Sequence, residues 1–125
     1  MQAVKTENAP LPIGPYSQAV KAGDFLFISG QVGVNPKTKT MVNGSIEAQT
    51  RQTLQNIGAI LGAAGLSFEK VVKVTVFLAD MKDFIKMNNV YATYFKTNTP
   101  ARTTVQAHLP VADAVVEIDA IAYSP

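Results

Sequence analysis

Two charged side chains sit where the sequence is otherwise built for burial. Arg102 opens the run Arg102-Thr103-Thr104-Val105, and Glu117 interrupts Val115-Val116-Glu117-Ile118. The chain has one other arginine, Arg51, in a helical pattern where charge on a solvated face is ordinary. A buried guanidinium or carboxylate is costly unless it has a partner. A guanidinium also presents a planar fork that grips a carboxylate through two parallel hydrogen bonds. A carboxylate nearby can position or deprotonate a water. Arg102 and Glu117 would then form the polar end of a small-molecule site. The competing reading is an internal ion pair, Arg102 with Glu117 or Asp119.

Other residues could complete such a site, each with a plainer role beside it. Tyr16 follows the turn signal Gly14-Pro15, and its phenol could donate to a ligand oxygen or simply pack. Ser29-Gly30 closes an apolar run. The glycine permits close backbone approach by a ligand, or only a turn. Asn88 interrupts the apolar stripe Phe84, Asn88, Tyr91, Phe95 of a helical segment and needs hydrogen-bond partners there. His108, before Leu109-Pro110, reads as exposed and non-catalytic.

Absences narrow the chemistry. No cysteine is present, which excludes a thiol nucleophile, a disulfide and a thiolate metal site. One histidine excludes a multi-histidine zinc site. No glycine-rich phosphate loop occurs. Net charge is +2, with nine lysines dispersed along the chain, which argues against a nucleic-acid footprint. No apolar run is long enough to span a membrane, and residues 1–12 lack the charged and apolar regions of a signal peptide. A cytoplasmic protein is expected.

The 125 residues suit one domain, 1–125. Charged residues are 16% of the chain, below the ~25% usual for soluble domains. Part of the apolar surface is therefore expected to be buried against other subunits.

The elements that would position these residues follow from the pattern. Ala3–Thr6 reads as an edge strand, and Ser17–Ala22 and Phe25–Ser29 as a hairpin about Gly23-Asp24, with Tyr16 at the head of its first strand. Phe25–Ser29 is apolar at nearly every position, as for a strand buried on both faces. Gly30–Gly44 reads as a long loop with a brief strand at Met41-Val42. Ser45 and Glu47 start a helix that Gly65 ends, with Leu54, Ile57, Leu61 and Ala64 as its stripe. Val71–Ala79 is a strand with Val72, Val74, Val76 and Leu78 on one face. Asp80 would cap a second helix running to about Lys96. Pro100–Tyr123 reads as two strands joined by a short turn. The order ββαβαββ predicts an α+β fold, a mixed sheet with two helices packed on one face.

Four ordered motifs across nearly the whole chain resemble the RidA (YjgF/YER057c/UK114) family. They are IGPYSQAV at 13–20, FISGQVGVNPKT at 27–38, AAGLSFEKVVKVTVFLADMKDF at 63–84, and PARTTV at 100–105 with VEIDAIAY at 116–123. The resemblance implies a chorismate-mutase-like fold assembled as a homotrimer with clefts between subunits. It also implies hydrolysis of 2-imino acids such as 2-iminobutanoate and 2-iminopropanoate to 2-oxo acids and ammonia, with no metal or cofactor. By motif, Arg102 would bind the substrate carboxylate and Glu117 would hold the attacking water. Tyr16, Ser29, Gly30 and Asn88 would line the site. At Thr104, where many members carry cysteine, the backbone carbonyl would contribute. Two other activities remain open at this point: a trimer that binds 2-oxo acids without turnover, and an RNA-directed activity described for some members.

Overall fold

A computed structural model describes all 125 residues, Met1–Pro125. Ten elements follow in chain order: β1 (Gln2–Val4), β2 (Ala19–Ala22), β3 (Phe25–Gln31), β4 (Val34–Asn35), β5 (Thr40–Met41), α1 (Ile46–Ala63), β6 (Val71–Leu78), α2 (Phe84–Tyr94), β7 (Ala101–Gln106) and β8 (Val116–Tyr123). Six strands form one mixed sheet in the order β1-β2-β3-β8-β6-β7, and β4-β5 is a separate small hairpin. Only β6 and β7 are parallel, joined by the crossover through α2. The predicted α+β architecture with two helices is therefore present.

Helix α1 begins and ends as its residues predict. Ser45 Oγ accepts from the Ala48 amide at 3.3 Å. Gly65 takes φ 75°, a left-handed conformation that glycine adopts without side-chain strain, and the Leu66 amide returns to the Leu61 carbonyl. Leu54, Ile57, Ile60 and Leu61 pack with Met87 of α2 over Leu26, Ile28, Val74, Val76, Leu78, Val116, Ile118 and Ala120 of the sheet. Removing these side chains from water is the main stabilising term of the fold.

Several expectations are corrected. The Gly30–Gly44 stretch is not structureless, because β4 and β5 pair across an Asn35-based turn whose side chain accepts from the Lys37 and Thr38 amides. Tyr16 lies in the turn before β2 rather than at a strand head, since pairing starts only at Ala19. Asp80 caps a single tight turn, Met81–Asp83, and α2 proper runs from Phe84 only to Tyr94. Strand β6 buries Val71, Val74, Val76 and Leu78, while Val72 stays 43% exposed. A register shift between Val71 and Lys73 resets the alternation that placed Val72 inside.

Two corrections bear on function. Pro100–Tyr123 is not a hairpin: β7 and β8 are separated by β6, which pairs with both. The connection through residues 107–115 crosses from the sheet edge to its interior. Strand β3 is also covered on only one face. Leu26 and Ile28 are buried under the helices, but Phe25 and Phe27 point outward, with Phe27 46% exposed. They continue with Tyr123, whose ring centroid is 5.3 Å from that of Phe25, into an apolar sheet face that no helix covers.

Gln18 fixes the N-terminal segment over this frame. Its side chain is buried. It accepts from the Thr6 amide (2.8 Å) and donates to the carbonyls of Thr6 (3.0 Å) and Pro10 (2.8 Å). Gln18→Ala strips partners from these backbone groups, and should lower unfolding stability by about 2–3 kcal/mol. Urea unfolding followed by circular dichroism checks this; a loss within experimental error would show that the segment satisfies itself with water.

Candidate active site

A cleft of about 1140 Å³ lies beside β3, walled by residues 9–13, the β4–β5 hairpin and residues 110–113. Tyr16, Ser29, Gly30 and Glu117 all line it, so one chain brings four of the seven sequence-derived site residues together.

Glu117 is placed by the sheet itself. It pairs with Phe77 of β6 and alternates with the buried Val116 and Ile118, so it projects from the open face together with Asp119. Burial pushes its carboxyl above the usual range, and the Asp119 charge adds to the rise. Gly30 makes room for it. A Cβ at position 30 would overlap Glu117 Oε2 and stand 2.9 Å from Glu117 Cδ. The glycine sits where β3 loses regular register against β8, between Ile28 and Gln31.

Ser29 has a structural commitment. Its Oγ donates to the Ser17 carbonyl at 2.6 Å and its amide donates to the Gln18 carbonyl at 2.9 Å. These bonds tie β3 to the segment just after Tyr16. Gln49 does the same for the approach to β8: its Nε2 donates to the Asp113 carbonyl and its Oε1 accepts from the Val115 amide, both at 2.9 Å. Sequence reasoning missed Gln49, whose only signal is an amide side chain at a helical position that turns out to be buried.

Arg102 lies elsewhere. It faces Val74, whose side chain is buried beneath the helices, and Thr104 faces Val76 in the same way. Arg102 and Thr104 therefore project from the helix-covered face at the edge strand β7, and Glu117 from the opposite face. Strand alternation keeps the two charges apart, so the internal ion pair with Glu117 or Asp119 does not form. The guanidinium instead lies 4.6 Å from the ring centre of Tyr91 and 5.7 Å from that of Phe84. Asn88 stands between these two rings on the same face of α2 (offsets of four and three). Its Oδ1 and the Tyr91 hydroxyl are both buried without a hydrogen-bonding partner. His108 is exposed, as its sequence context suggests.

The site residues thus fall into two sets. Tyr16, Ser29, Gly30 and Glu117 share a cleft. Asn88, Arg102 and Thr104 occupy the far edge of the sheet. No group of three or more His, Cys, Asp or Glu side chains is placed to hold a metal ion.

Residues 6–124 match the family described as Endoribonuclease L-PSP. The chain belongs to this family, the YjgF/RidA family. A RutC family protein of Pyrococcus horikoshii is 58% identical over 122 residues, 98% of this RidA-family chain and 97% of its own length. Reactive Intermediate Deaminase A, chloroplastic, of Arabidopsis thaliana is 48% identical over 122 residues, covering 97% of this chain and 65% of the plant protein. Among solved structures, E. coli TdcF with bound serine superposes with a TM-score of 0.94 at 40% identity, covering the whole of both chains. The RidA-family fold expected from the motifs is the fold found. No helix is long and apolar enough to cross a membrane.

Proposed function

We propose that this RidA-family protein hydrolyses small 2-imino acids and their enamine tautomers to 2-oxo acids and ammonia, in a homotrimer whose sites lie between subunits. The observation that carries this reading is the division of the site. A desolvated carboxylate waits in a cleft on one face, and a guanidinium with no acidic partner waits at the sheet edge on the other. Neither set is sufficient for the chemistry. Packing the open apolar face of one chain near the β7 edge of another would join them, and it would bury Phe25, Phe27 and Tyr123.

The chemistry asked of the residues is modest. A protonated imine carbon is already electrophilic, so orientation of substrate and water supplies most of the rate. Arg102 would hold the carboxylate bidentately. Glu117, with the Thr104 backbone carbonyl, would hold the water. The water oxygen bonds to C2, its proton passes to the nitrogen by way of Glu117, and the carbinolamine collapses to the 2-oxo acid as ammonia leaves. The name of the plant relative, a reactive intermediate deaminase, supports the same reaction class. The test couples an enzyme that generates 2-iminobutanoate to this protein and follows imine loss against buffer. Loss no faster than buffer would overturn the proposal.

The raised Glu117 carboxyl predicts a pH dependence. If the ionised form holds the water, activity falls as pH drops through the folded pKa, so the acid limb lies above the ordinary carboxylate range. Asp119→Asn removes a like charge, lowers that pKa and moves the limb to lower pH. A pH–kcat/KM profile of both proteins checks the sign. An unmoved or raised limb would show that Glu117 does not set it.

A second reading has its own support. E. coli TdcF holds serine, a small amino acid, so capture of small carboxylates without turnover fits the fold. Glu117→Gln separates the two, because it should remove turnover while leaving binding of 2-oxobutanoate largely intact. The cleft speaks against an RNA-directed role. Glu7, Asp113 and Glu117 line it against one lysine, Lys39, and this balance repels phosphates.

A further inference from the structure

Arg102 is unusual in how it is held. A half-buried guanidinium commonly docks on a carboxylate, which would use up its in-plane donors. Here the two acids nearest in the sheet are on the other face, and two aromatic rings take their place. A ring attracts the guanidinium through its face and leaves its N–H edge free. The nearer ring, that of Tyr91, is itself immobilised. It is buried and packs against the Phe95 ring with centroids 4.5 Å apart. The Tyr91 hydroxyl lies close to the Arg102 guanidinium but does not meet it in the geometry of a full hydrogen bond. Its burial pushes the phenol up, with the Arg102 charge and the approach of its N–H to the hydroxyl partly opposing, so the ring stays neutral and keeps the face that attracts a cation.

We propose that Tyr91 is a positioning residue for the substrate carboxylate: its ring holds the Arg102 guanidinium flat, so that the donor edge faces the ligand without competition from a protein acid. This rests on Arg102 being the carboxylate-binding group. Tyr91 acts through Arg102 and touches no substrate atom. The effect belongs to binding, so it appears in KM and in the affinity for 2-oxo acids rather than in the chemical step.

The experiment compares Tyr91→Phe, Tyr91→Leu and fluorinated phenylalanines at position 91, with Arg102→Ala as reference. Imine hydrolysis and 2-oxobutanoate binding are both measured. Tyr91→Phe keeps the ring and should stay within about threefold of wild type in KM, whereas Tyr91→Leu should raise KM and the 2-oxobutanoate Kd roughly tenfold with kcat little changed. If Leu proves too disruptive to the packing, the fluorinated series decides alone. Successive fluorines drain the ring face at nearly constant volume, so KM should climb stepwise while the melting temperature stays level. A flat KM across that series, with Arg102→Ala impaired, overturns the role of Tyr91. An unimpaired Arg102→Ala instead overturns the carboxylate assignment beneath it. A loss of kcat and melting temperature together, with KM unmoved, assigns Tyr91 to packing and also overturns the inference.

Discussion

Arg102→Ala and Glu117→Gln chains, each inactive alone, should regain activity when assembled together. Either substitution alone should cost roughly a hundredfold or more, as expected for loss of a charged contact to substrate or water. In a mixed trimer, a site that draws Arg102 from one chain and Glu117 from another is intact when both donors are unmutated at those positions. With equal amounts and random assembly that holds for about one site in four. The two variants can be refolded together or co-expressed with different tags, and the doubly tagged fraction assayed for imine hydrolysis. Every trimer in that fraction has one intact site of three, so recovery near a third of wild-type activity would support a site shared between chains. No recovery in a verified mixed assembly would mean that one chain supplies both groups, or that the two never meet, and the division proposed from their opposite sheet faces would fail.

Gly30→Ala should leave the fold standing and remove most of the activity. The backbone at Gly30 is not in the left-handed region, so alanine adds no conformational strain. What it adds is a methyl in the place now occupied by the Glu117 carboxylate. The carboxylate is the end of a flexible side chain and can move away, so stability should fall by no more than about 1 kcal/mol. Its displacement is another matter, because a misplacement on the order of 1 Å can cost roughly a hundredfold in rate. Thermal melting and kcat measured on the same preparation check both halves. An active Gly30→Ala protein would show that the carboxylate position is not critical. An unfolded one would show that the glycine serves the sheet instead of the site.

The sequence made local features readable and left relative placement dark. The start of α1 at Ser45 and its end at Gly65 were legible because capping chemistry involves neighbours only a few residues apart. The unusual status of Arg102 and Glu117 was legible for the same reason: each is a charge in an apolar run. Their separation was not. It depends on β6 entering between β7 and β8, and a strand that begins at residue 71 leaves no mark on the segment joining 106 to 116. The exposed aromatics of β3 were misread for a related reason. A run of four apolar residues looks the same whether its second face is covered by a helix, by another subunit or by nothing, and only the shared surplus of apolar residues hinted at the answer. Among the site residues, Tyr16, Ser29, Gly30 and Glu117 converge within one chain, whereas Asn88, Arg102 and Thr104 form a second group. The aromatic cradle of Arg102 could have been suspected from Phe84 and Tyr91 at helical spacing beside the odd arginine, but nothing in the spacing said which strand they would face.

Strand β8 is the last strand in chain order, yet it lies between β3 and β6. Phe25 pairs with Tyr123, a contact spanning most of the sequence. During synthesis the β2–β3 hairpin can form early, and β6 can wait with its helices, but the two have no hydrogen bonds to each other until β8 emerges. Pairing between such distant segments is slow, because a large loop must close before any contact rewards it. The rate-limiting event in folding should therefore be insertion of this strand, after translation of everything before it, with two unpaired strand edges open to aggregation in the interval. Glu117 rides on the same strand. A chain that has not completed its sheet thus also lacks its carboxylate, and partly folded forms of this protein should have no residual activity to betray them.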